Sequence, residues 1–397
     1  MNILLISSRN PYPPHGGHSQ RTFNLIKYAA QNHDIFLLTF VEKDENLGNV
    51  SAMRKISADV YPFYIPDEQS KWRFALSLIR NLFSPLPYTA QKYDTSEMRC
   101  KIRELLEERE FDILQCDAPD LAQYTDEVGD ISKVVVNHNV ESKLMYRRCV
   151  YARNILEKMY LYFQSFKMRK YERRICERFD NCVVVSEIDK EELQRISPEA
   201  KISVVPNGVD IEYFRPTYED FAENTLIFVG GMTWFPNLDG ALWFCEEIWP
   251  LVKREIPEPK MSFIGRNPPK KVLELAKTDN IEAPGFVDDI RPYVSKAAVY
   301  VVPLRVGGGT RLKILDAMAM GKAVVSTSIG CEGLEVTPEE NIIVADSAEE
   351  FAKRTVELLR NPDLIKRLGI AGRKLTEEKY DWNIIGMKME EVYQACV

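Results

Sequence analysis

Residues 297–327 read AAVYVVPLRVGGGTRLKILDAMAMGKAVVST, and this stretch indicates how the chain folds. An apolar, β-branched run leads through three consecutive glycines into a segment with helical periodicity, which Gly321 ends before a second apolar run. Strand, glycine loop, helix and strand in this order form the repeating unit of a parallel α/β sheet. We therefore predict an α/β fold.

The glycine loop in this stretch also predicts a binding site for an anion, most naturally a phosphate. Backbone N–H groups of the loop and first helical turn have no partner within the helix, and the helix dipole adds positive potential there. Arg305, Arg311 and Lys313 flank these groups. Asp316 lies about 9 Å farther along the helix axis, where its carboxylate would accept the hydroxyl groups of a ribose.

Length and composition limit the possible classes of protein. The chain has 397 residues, which predicts two domains, and its 45% hydrophobic and 28% charged residues are typical of a soluble globular protein. The net charge of −7 disfavours nucleic acid as a partner, because binding to phosphate backbones needs a basic face. The eight cysteines include no CxxC pair, which favours reduced thiols over a disulfide framework or a zinc site.

The sequence predicts a cytoplasmic protein. Its N-terminal apolar run is short and has no basic lead, so we interpret it as a first strand rather than a signal peptide. No apolar stretch of the sequence reaches the roughly 18 residues that a membrane span needs.

The first half of the sequence also alternates strands with helices. Gly16 and Gly17 follow the first strand and precede a helical pattern, where they would offer backbone donors to an anion or form a simple turn. Their spacing is not GxGxxG, which disfavours a dinucleotide-binding dehydrogenase. His138 follows a predicted strand at residues 133–136, where open α/β sheets usually hold ligands, although a lone histidine there is often structural.

Residues 143–178 form the main local anomaly in charge. They contain eleven basic and three acidic side chains, interleaved with seven tyrosines and phenylalanines. A long helix of this composition suits an anionic membrane surface or a lipid-linked phosphate. A solvated helix face with its aromatic side chains packed inward explains the pattern equally well. Residues 72–86 are a second amphipathic candidate that also suits an ordinary surface excursion.

Several short motifs occur in a fixed order: Gly16-Gly17, His138, VPNGVD at residues 205–210, Gly230-Gly231 and the GGGTRLK run. In this order and spacing they resemble the motifs of glycosyltransferase family 4, the retaining nucleotide-sugar enzymes with the GT-B fold. The resemblance covers nearly the whole chain. It implies two Rossmann-like domains that face a cleft: an acceptor domain over residues 1–205, a donor domain over 206–380 and a helix over 381–397 that returns to the first domain.

The resemblance also implies roles for individual positions. For donor binding, these positions are Gly16, Gly17, Asn207, Gly230, Gly231, Arg305, Gly308, Gly309, Thr310 and Asp316. For catalysis, His138 would contact the transferred sugar, while Arg311 and Lys313 would stabilise the departing diphosphate. For acceptor binding we expect Tyr12, His15 and His18. No DxD-type carboxylate pair stands out, so we expect no metal ion and no cofactor besides the nucleotide sugar as co-substrate.

The sequence departs from the family pattern at two sites. The family usually has two glutamates eight positions apart, and this chain has Gly308 and Asp316 instead. The family's basic pair after the second-domain glycine turn is also absent, since GGMTWFPNLDG supplies Met232, Trp234 and Asn237. The first departure removes the carboxylate expected to contact the sugar.

We therefore predict a glycosyltransferase that moves a sugar to a hydroxyl acceptor with retention, in cell-envelope polysaccharide, exopolysaccharide or glycolipid synthesis. The expected partners are a nucleotide sugar, a glycan or lipid-linked acceptor and an anionic membrane surface contacted through residues 143–178, but no nucleic acid. Gly308 keeps a non-catalytic nucleotide-sugar or glycan-binding subunit open as an alternative. A nucleotide-sugar epimerase shares the fold but would need further acids around the sugar.

Overall fold

The computed structural model describes residues 1–14, 16–42, 47–65, 71–152, 154–217, 221–277, 280–308 and 310–397. The chain divides into two compact units. The first comprises Met1–Pro206 and Trp382–Val397, and the second comprises Asn207–Asp381. Each unit is built around one parallel sheet, so the predicted α/β fold with two Rossmann-like domains is confirmed.

The first unit contains a sheet in which all of the described strands are parallel. The strands are β1 (Asn2–Ser7), β2 (Asp34–Val41), β3 (Asp59–Tyr64), β4 (Ile113–Cys116), β5 (Ser132–Asn137), β6 (Asn181–Val184) and β7 (Ile202–Val204). Their order in the sheet is β3-β2-β1-β4-β5-β6-β7. The strand order therefore reverses between β1 and β4, and ligands of such sheets bind beside the carboxyl ends of the strands at this reversal.

Continuous apolar runs explain why these segments form strands. β1 has the sequence NILLIS, and its residues from Ile3 to Ser7 are buried. A strand that is apolar at successive positions, rather than at alternate ones, fits a parallel sheet covered on both faces. β4 and β6 are likewise buried at each position.

Helices connect the strands of the first unit. They are α1 (Gly17–Ala29), α2 (Leu47–Met53), α3 (Lys71–Leu82), α4 (Tyr88–Lys92), α5 (Ser96–Glu108), α6 (Glu141–Tyr151), α7 (Ile155–Arg178) and α8 (Glu187–Ile196). A 3-10 helix, Pro119–Glu127, lies between β4 and β5. Among the helices of the described ranges, none combines the length and the apolar character needed to cross a membrane.

Helix α7 corrects one of the two sequence interpretations of residues 143–178. Its start is capped by Asn154, whose side-chain oxygen accepts from the backbone N–H of Leu156 at 2.8 Å. Tyr162, Phe163 and Phe166 are exposed on this helix. Inward packing of the aromatic side chains is therefore wrong for these three, because they lie on the same side as the charged residues.

The second unit repeats the same sheet order with six described strands. They are β8 (Thr225–Val229), β9 (Lys260–Ile264), β10 (Ile281–Gly285), β11 (Val299–Val302), β12 (Ala323–Ser326) and β13 (Ile343–Val344). Their order is β10-β9-β8-β11-β12-β13, and all neighbours pair in parallel. The reversal of strand order lies between β8 and β11, which places the carboxyl ends of these two strands at the usual ligand position.

The helices of the second unit follow the predicted alternation. They are α9 (Phe235–Trp243), α10 (Trp249–Glu255), α11 (Lys270–Leu275), α12 (Arg291–Lys296), α13 (Leu312–Ala319), α14 (Ala348–Leu359) and α15 (Pro362–Lys379). A π-helical turn, Phe244–Ile248, separates α9 from α10. Pro250 lies in the first turn of α10, where its missing N–H costs least.

The last helix, α16 (Trp382–Gln394), belongs to the first unit and packs against α1. The Tyr393 hydroxyl donates to Oε1 of Gln115 on β4 at 2.5 Å, and Nε2 of His33 lies 2.5 Å from Oε2 of Glu390. Gly386 allows the close approach of the two helices, since a Cβ there would lie 2.5 Å from Cδ2 of Tyr28 and closer still to Cγ and Cδ1.

This contact predicts that Gly386→Ala destabilises the first unit. In an exposed helix the same change stabilises by up to about 1 kcal/mol, but here the methyl group overlaps a packed ring, and we expect a loss of about 1–3 kcal/mol. Thermal unfolding measures the effect. Gly129→Ala is the matched control, because a Cβ at Gly129 meets nothing within 4 Å. An unchanged or raised midpoint for Gly386→Ala would contradict the packing described.

Candidate active site

In the first unit, two histidines meet one buried carboxylate at the carboxyl edge of the sheet. Asp117 directly follows β4, His138 directly follows β5, and His18 lies in the first turn of α1. Nε2 of His18 is 3.3 Å from Oδ2 of Asp117, and Nε2 of His138 is 3.6 Å from Oδ1. The two imidazole rings lie 4.1 Å apart, centroid to centroid. The sheet thus brings together three side chains that are distant in sequence.

Asp117 is fully buried and nevertheless ionised. Burial alone would raise the pKa of this carboxyl group, but attraction to His138 and hydrogen bonds with His138 and His18 outweigh it and hold the pKa well below its usual range. The Thr22 hydroxyl adds a hydrogen bond, donated to Oδ2 at 2.6 Å. Asp117 therefore fixes the positions of both imidazoles.

The two histidines differ in what the structure says about their protons. Nε2 of His138 lies 2.8 Å from the backbone oxygen of Asp117, and since a carbonyl oxygen only accepts, Nε2 carries a proton. In the neutral ring, Nδ1 is then an acceptor. Burial, followed by repulsion from His138, lowers the pKa of His18 to about 4, against an opposing hydrogen bond to Asp117. His18 is therefore uncharged at neutral pH.

Arg21 on α1 is a fully buried cation near this carboxylate. Its Nη1 and Nη2 donate to the backbone oxygens of Pro206 and Val205 at 2.7 and 2.8 Å. Burial lowers the pKa of Arg21 to about 10, with attraction to Asp117 acting in the opposite direction. Arg21 remains protonated at neutral pH and ties α1 to the segment that follows β7.

The other positions expected in the first unit lie around the start of α1. Gly16 precedes the helix with a φ of 102°, in the left-handed region that favours glycine, and a Cβ there would meet nothing within 4 Å. Gly17 is the first helical residue. The Tyr12 ring packs on Phe23, with centroids 5.8 Å apart. His15, expected to contact the acceptor, lies outside the described residues.

In the second unit, the glycine turn after β8 adjoins a lysine from α13. The Lys313 amine donates to Oδ1 of Asn237 at 2.7 Å, and Nδ2 of Asn237 donates to the backbone oxygen of Gly231 at 2.8 Å. The amine also lies 4.3 Å from the centroid of the Phe228 ring. A Cβ on Gly230 would lie 2.6 Å from Nζ of Lys313, so this glycine leaves the room that the amine occupies.

The charge of Lys313 is only partly compensated. Burial, followed by repulsion from Arg311, lowers the pKa of Lys313 to about 7, while attraction to Asp316 opposes the shift. The amine is thus close to half protonated at neutral pH. An anion that arrived beside it would raise its pKa and restore the full charge.

Arg311 and Thr310 lie at the start of α13. Arg311 is the residue before the first helical turn. Its guanidinium donates to the backbone oxygen of Gly308, and a Cβ on Gly307 would overlap it. The Thr310 hydroxyl accepts from Nδ2 of Asn207 at 2.6 Å. Two of the predicted donor-binding positions, Gly308 and Thr310, thus adjoin Arg311, and Gly309 lies outside the described residues.

Asp316 and Arg305 have different surroundings. Asp316 is half-buried on α13, where its charge acts on Lys313 and on the buried Tyr300. Arg305 forms a two-point ion pair with Asp239, with Nε to Oδ2 at 3.0 Å and Nη2 to Oδ1 at 2.7 Å. The structure therefore places Lys313 and Arg311 beside the glycine turns, whereas the charge of Arg305 is already balanced.

Sequence reasoning missed several residues of both clusters. Asp117 carried a usable signal, because it follows a buried strand next to the first strand, as His138 follows the strand beyond it. Arg21 and Thr22 carried none, since a polar residue within a helix usually faces solvent. Asn237 was recognised only as a replacement for a basic residue, and its position between Lys313 and Gly231 depends on tertiary packing.

Comparison with known proteins identifies the family. A family model described as Glycosyltransferase Family 4 matches residues 15–213, which is half of the chain. The chain belongs to glycosyltransferase family 4. A second model, described as Glycosyl transferases group 1, matches residues 223–361. Sugar transfer is thus the activity of this enzyme, and its two parallel sheets are those of the GT-B fold.

Individual relatives of this glycosyltransferase are distant. It is 23% identical over 397 residues to an uncharacterized 44.6 kDa protein in the cps region of Klebsiella pneumoniae, with 96% of each chain covered. A GDP-mannose-dependent monoacylated alpha-(1-6)-phosphatidylinositol monomannoside mannosyltransferase of Corynebacterium glutamicum is 24% identical over 215 residues, which cover 48% of this chain and 55% of the relative. The solved structure of Anabaena HepE in complex with UDP has a TM-score of 0.71 at 12% identity and covers 100% of both chains.

The contact between Gly230 and Lys313 predicts that Gly230→Ala weakens nucleotide binding. The added methyl group overlaps the flexible end of Lys313 and also the side chain of Asn237, which holds that amine. We expect UDP and GDP to bind about tenfold more weakly, a loss of about 1.4 kcal/mol. Isothermal titration calorimetry measures this. Gly231→Ala is the matched control, because a Cβ there meets nothing within 4 Å. Equal nucleotide affinities for the two variants would show that nucleotide binding does not depend on the position of Lys313.

Proposed function

We propose that this glycosyltransferase moves a sugar from a nucleotide-diphosphate sugar to a hydroxyl acceptor with retention of configuration. The observation that carries the proposal is the position of Lys313 beside the glycine turn after β8. Arg311, at the start of the helix after β11, supplies a second cation. Positive charge beside glycine turns at the carboxyl edge of a parallel sheet suits a diphosphate.

The charge on the departing diphosphate accounts for the roles of the two cations. As the bond between the anomeric carbon and the diphosphate oxygen breaks, its electron pair stays on the oxygen, and negative charge grows there. Lys313 and Arg311 would stabilise this charge most strongly where water is excluded. The acceptor hydroxyl forms the new bond to the anomeric carbon, and its proton passes to the departing oxygen.

The histidine cluster supports retention over inversion. An inverting transfer needs a general base that takes the acceptor's proton, and a neutral imidazole beside a carboxylate is the usual candidate. His18 has this arrangement with Asp117, but its pKa of about 4 makes it a weak base at neutral pH. His138 would instead accept a hydrogen bond from a sugar hydroxyl through Nδ1. A retaining reaction, in which the leaving oxygen takes the proton, needs no such base.

For the acceptor, we propose a glycan or lipid-linked glycan of the cell envelope. The Corynebacterium relative is named for a phosphatidylinositol mannoside, which is a lipid-linked acceptor. The basic and aromatic residues 143–178 suit an anionic membrane surface at which such an acceptor would lie. We propose further that no metal ion or cofactor is needed, because Lys313 and Arg311 offer the diphosphate the charge that a divalent cation would otherwise supply.

Turnover of a panel of UDP- and GDP-sugars, followed by the mass of the products, tests the proposal. We expect transfer or slow hydrolysis of at least one donor, unchanged by EDTA, and an α-linked product from an α-linked donor by NMR. His138→Ala should lower turnover by about 100-fold or more, whereas Asn139→Ala, next to it, should have little effect. An inverted product that depends on His18 would overturn retention. Tight nucleotide binding without turnover of any donor would instead favour a non-catalytic subunit.

The pKa of Lys313 predicts that nucleotide binding takes up a proton. Free Lys313 is half protonated near pH 7, and a bound diphosphate raises its pKa, so the complex holds more protons than the free protein above this pH. Affinity for UDP or GDP should therefore fall as the pH rises from about 7 to about 9. Calorimetry in buffers with different ionisation enthalpies measures the uptake directly. Lys313→Met should bind more weakly and lose the pH dependence above 7, and an unchanged slope in this variant would exclude Lys313 as its source.

A further inference from the structure

The outward face of α7 changes character along the helix. In its first half, the exposed side chains are apolar or aromatic apart from the acidic Glu157: Ile155, Leu156, Met159, Tyr162, Phe163 and Phe166. In its second half, the exposed side chains are charged and mainly basic: Arg169, Lys170, Arg173, Arg174, Glu177 and Arg178. The opposite face is buried in the core of the first unit through Met168, Tyr171 and Ile175. One helix thus presents an apolar half followed by a basic half.

Neighbouring elements extend the apolar half. At the end of α6, Tyr146, Val150 and Tyr151 are exposed just before the start of α7. Helix α3 and the residue after it expose five more apolar side chains: Phe74, Leu76, Ile79, Leu82 and Phe83. Leu156 and Phe83 are 72% and 87% exposed, more than a stable monomer usually leaves for large apolar side chains grouped together.

A buried polar contact joins α3 to α7. Nε2 of Gln164 donates to Oδ1 of Asn81 at 2.8 Å, and the Lys167 amine donates to the backbone oxygen of Asn81 at 2.7 Å. All three side chains are buried, and burial lowers the pKa of Lys167. The two amphipathic segments noticed separately in the sequence therefore form one surface, and Lys167 serves to hold it together rather than to meet a ligand.

Several other basic residues of 143–178 are paired within the protein. The Lys143 amine lies 3.3 Å from Glu192, Nε of Arg173 lies 3.0 Å from Glu177, and Nη2 of Arg178 lies 2.5 Å from Asp126. The net charge of the segment thus overstates the positive charge offered outward. Among the described residues of the first unit, none covers the apolar half of α7 in a comparable way, because its side chains are exposed.

We propose that the first unit inserts this apolar surface into an anionic lipid bilayer. By this apolar surface we mean the exposed apolar and aromatic side chains given above for α3, the end of α6 and the first half of α7. The order along α7 decides the occupant: aromatic and aliphatic side chains followed by arginines and lysines match an acyl boundary followed by anionic headgroups. A protein partner would require no such sequence of apolar and basic zones. Most of the binding free energy then comes from insertion of the apolar side chains, rather than from attraction between basic side chains and anionic headgroups.

This inference deepens the proposed acceptor class but is tested without any sugar transfer. Vesicles of phosphatidylcholine, alone and mixed with phosphatidylglycerol, are sedimented with the full chain at low and high salt. We expect binding to the mixed vesicles that survives high salt in part. The triple variant Leu156→Ser/Met159→Ser/Phe166→Ser should bind at least about tenfold more weakly to both kinds of vesicle, because affinity scales with the apolar area inserted.

Two further variants serve as controls. Ile370→Ser removes an apolar side chain of similar exposure, 71%, from α15 of the second unit, and should bind vesicles like the wild type. Arg169→Gln/Arg174→Gln should lose the preference for phosphatidylglycerol but keep most of the binding. Thermal unfolding and UDP binding, measured on the same samples, show whether each variant is folded and competent.

Three results would overturn the inference. They are wild-type protein that binds neither kind of vesicle, a triple variant that binds like the wild type, and binding abolished entirely by salt. A dimer that becomes monomeric in the triple variant, detected by size-exclusion chromatography without lipid, would assign the surface to a second copy of the chain. Failure of nucleotide-sugar turnover would leave these measurements unchanged, so the two proposals fail separately.

Discussion

Parallel pairing is the constraint on which both halves of this protein depend. Parallel strands all end at one edge of their sheet, so residues that follow β1, β4 and β5 meet although they are about 120 positions apart in the chain. The same constraint brings the turn after β8 beside the helix after β11 in the second unit. In both units the strand order reverses at this place, and the backbone leaves room there for a ligand.

Burial has opposite outcomes for Asp117 and Lys313, which lie at these edges: the first keeps its full charge and the second loses part of it. Asp117 stays ionised because two imidazoles and a hydroxyl replace the water that it has lost. Among the described residues, Lys313 meets an amide oxygen, an aromatic ring and a more distant carboxylate, so burial weakens its hold on the proton. The charge of Asp117 is therefore compensated, whereas that of Lys313 is compensated only in part. That difference suits a rigid support for a sugar in one unit and an anion receptor in the other.

Local sequence patterns predicted the fold better than they predicted the site. The apolar run at residues 133–136 located β5 within one residue at each end, because strand burial depends on the residues of the strand itself. Asp117 and Arg21 were missed, since their importance comes from elements far away in the chain. The aromatic side chains of α7 were ambiguous for a similar reason. Periodicity tells which residues share a face, but whether that face meets a core or solvent is decided by the neighbours that the fold supplies.

Helix α16 belongs to the first unit although it follows the whole of the second in the chain. Gly386 and Tyr393 therefore reach their partners on α1 and β4 only after residues 207–381 have left the ribosome. During synthesis the second unit is therefore made in full before the first unit is, although the first unit begins earlier in the chain. Until α16 arrives, the ring of Tyr28 and the amide of Gln115 face water. The first unit therefore completes its packing only after α16 has been synthesised.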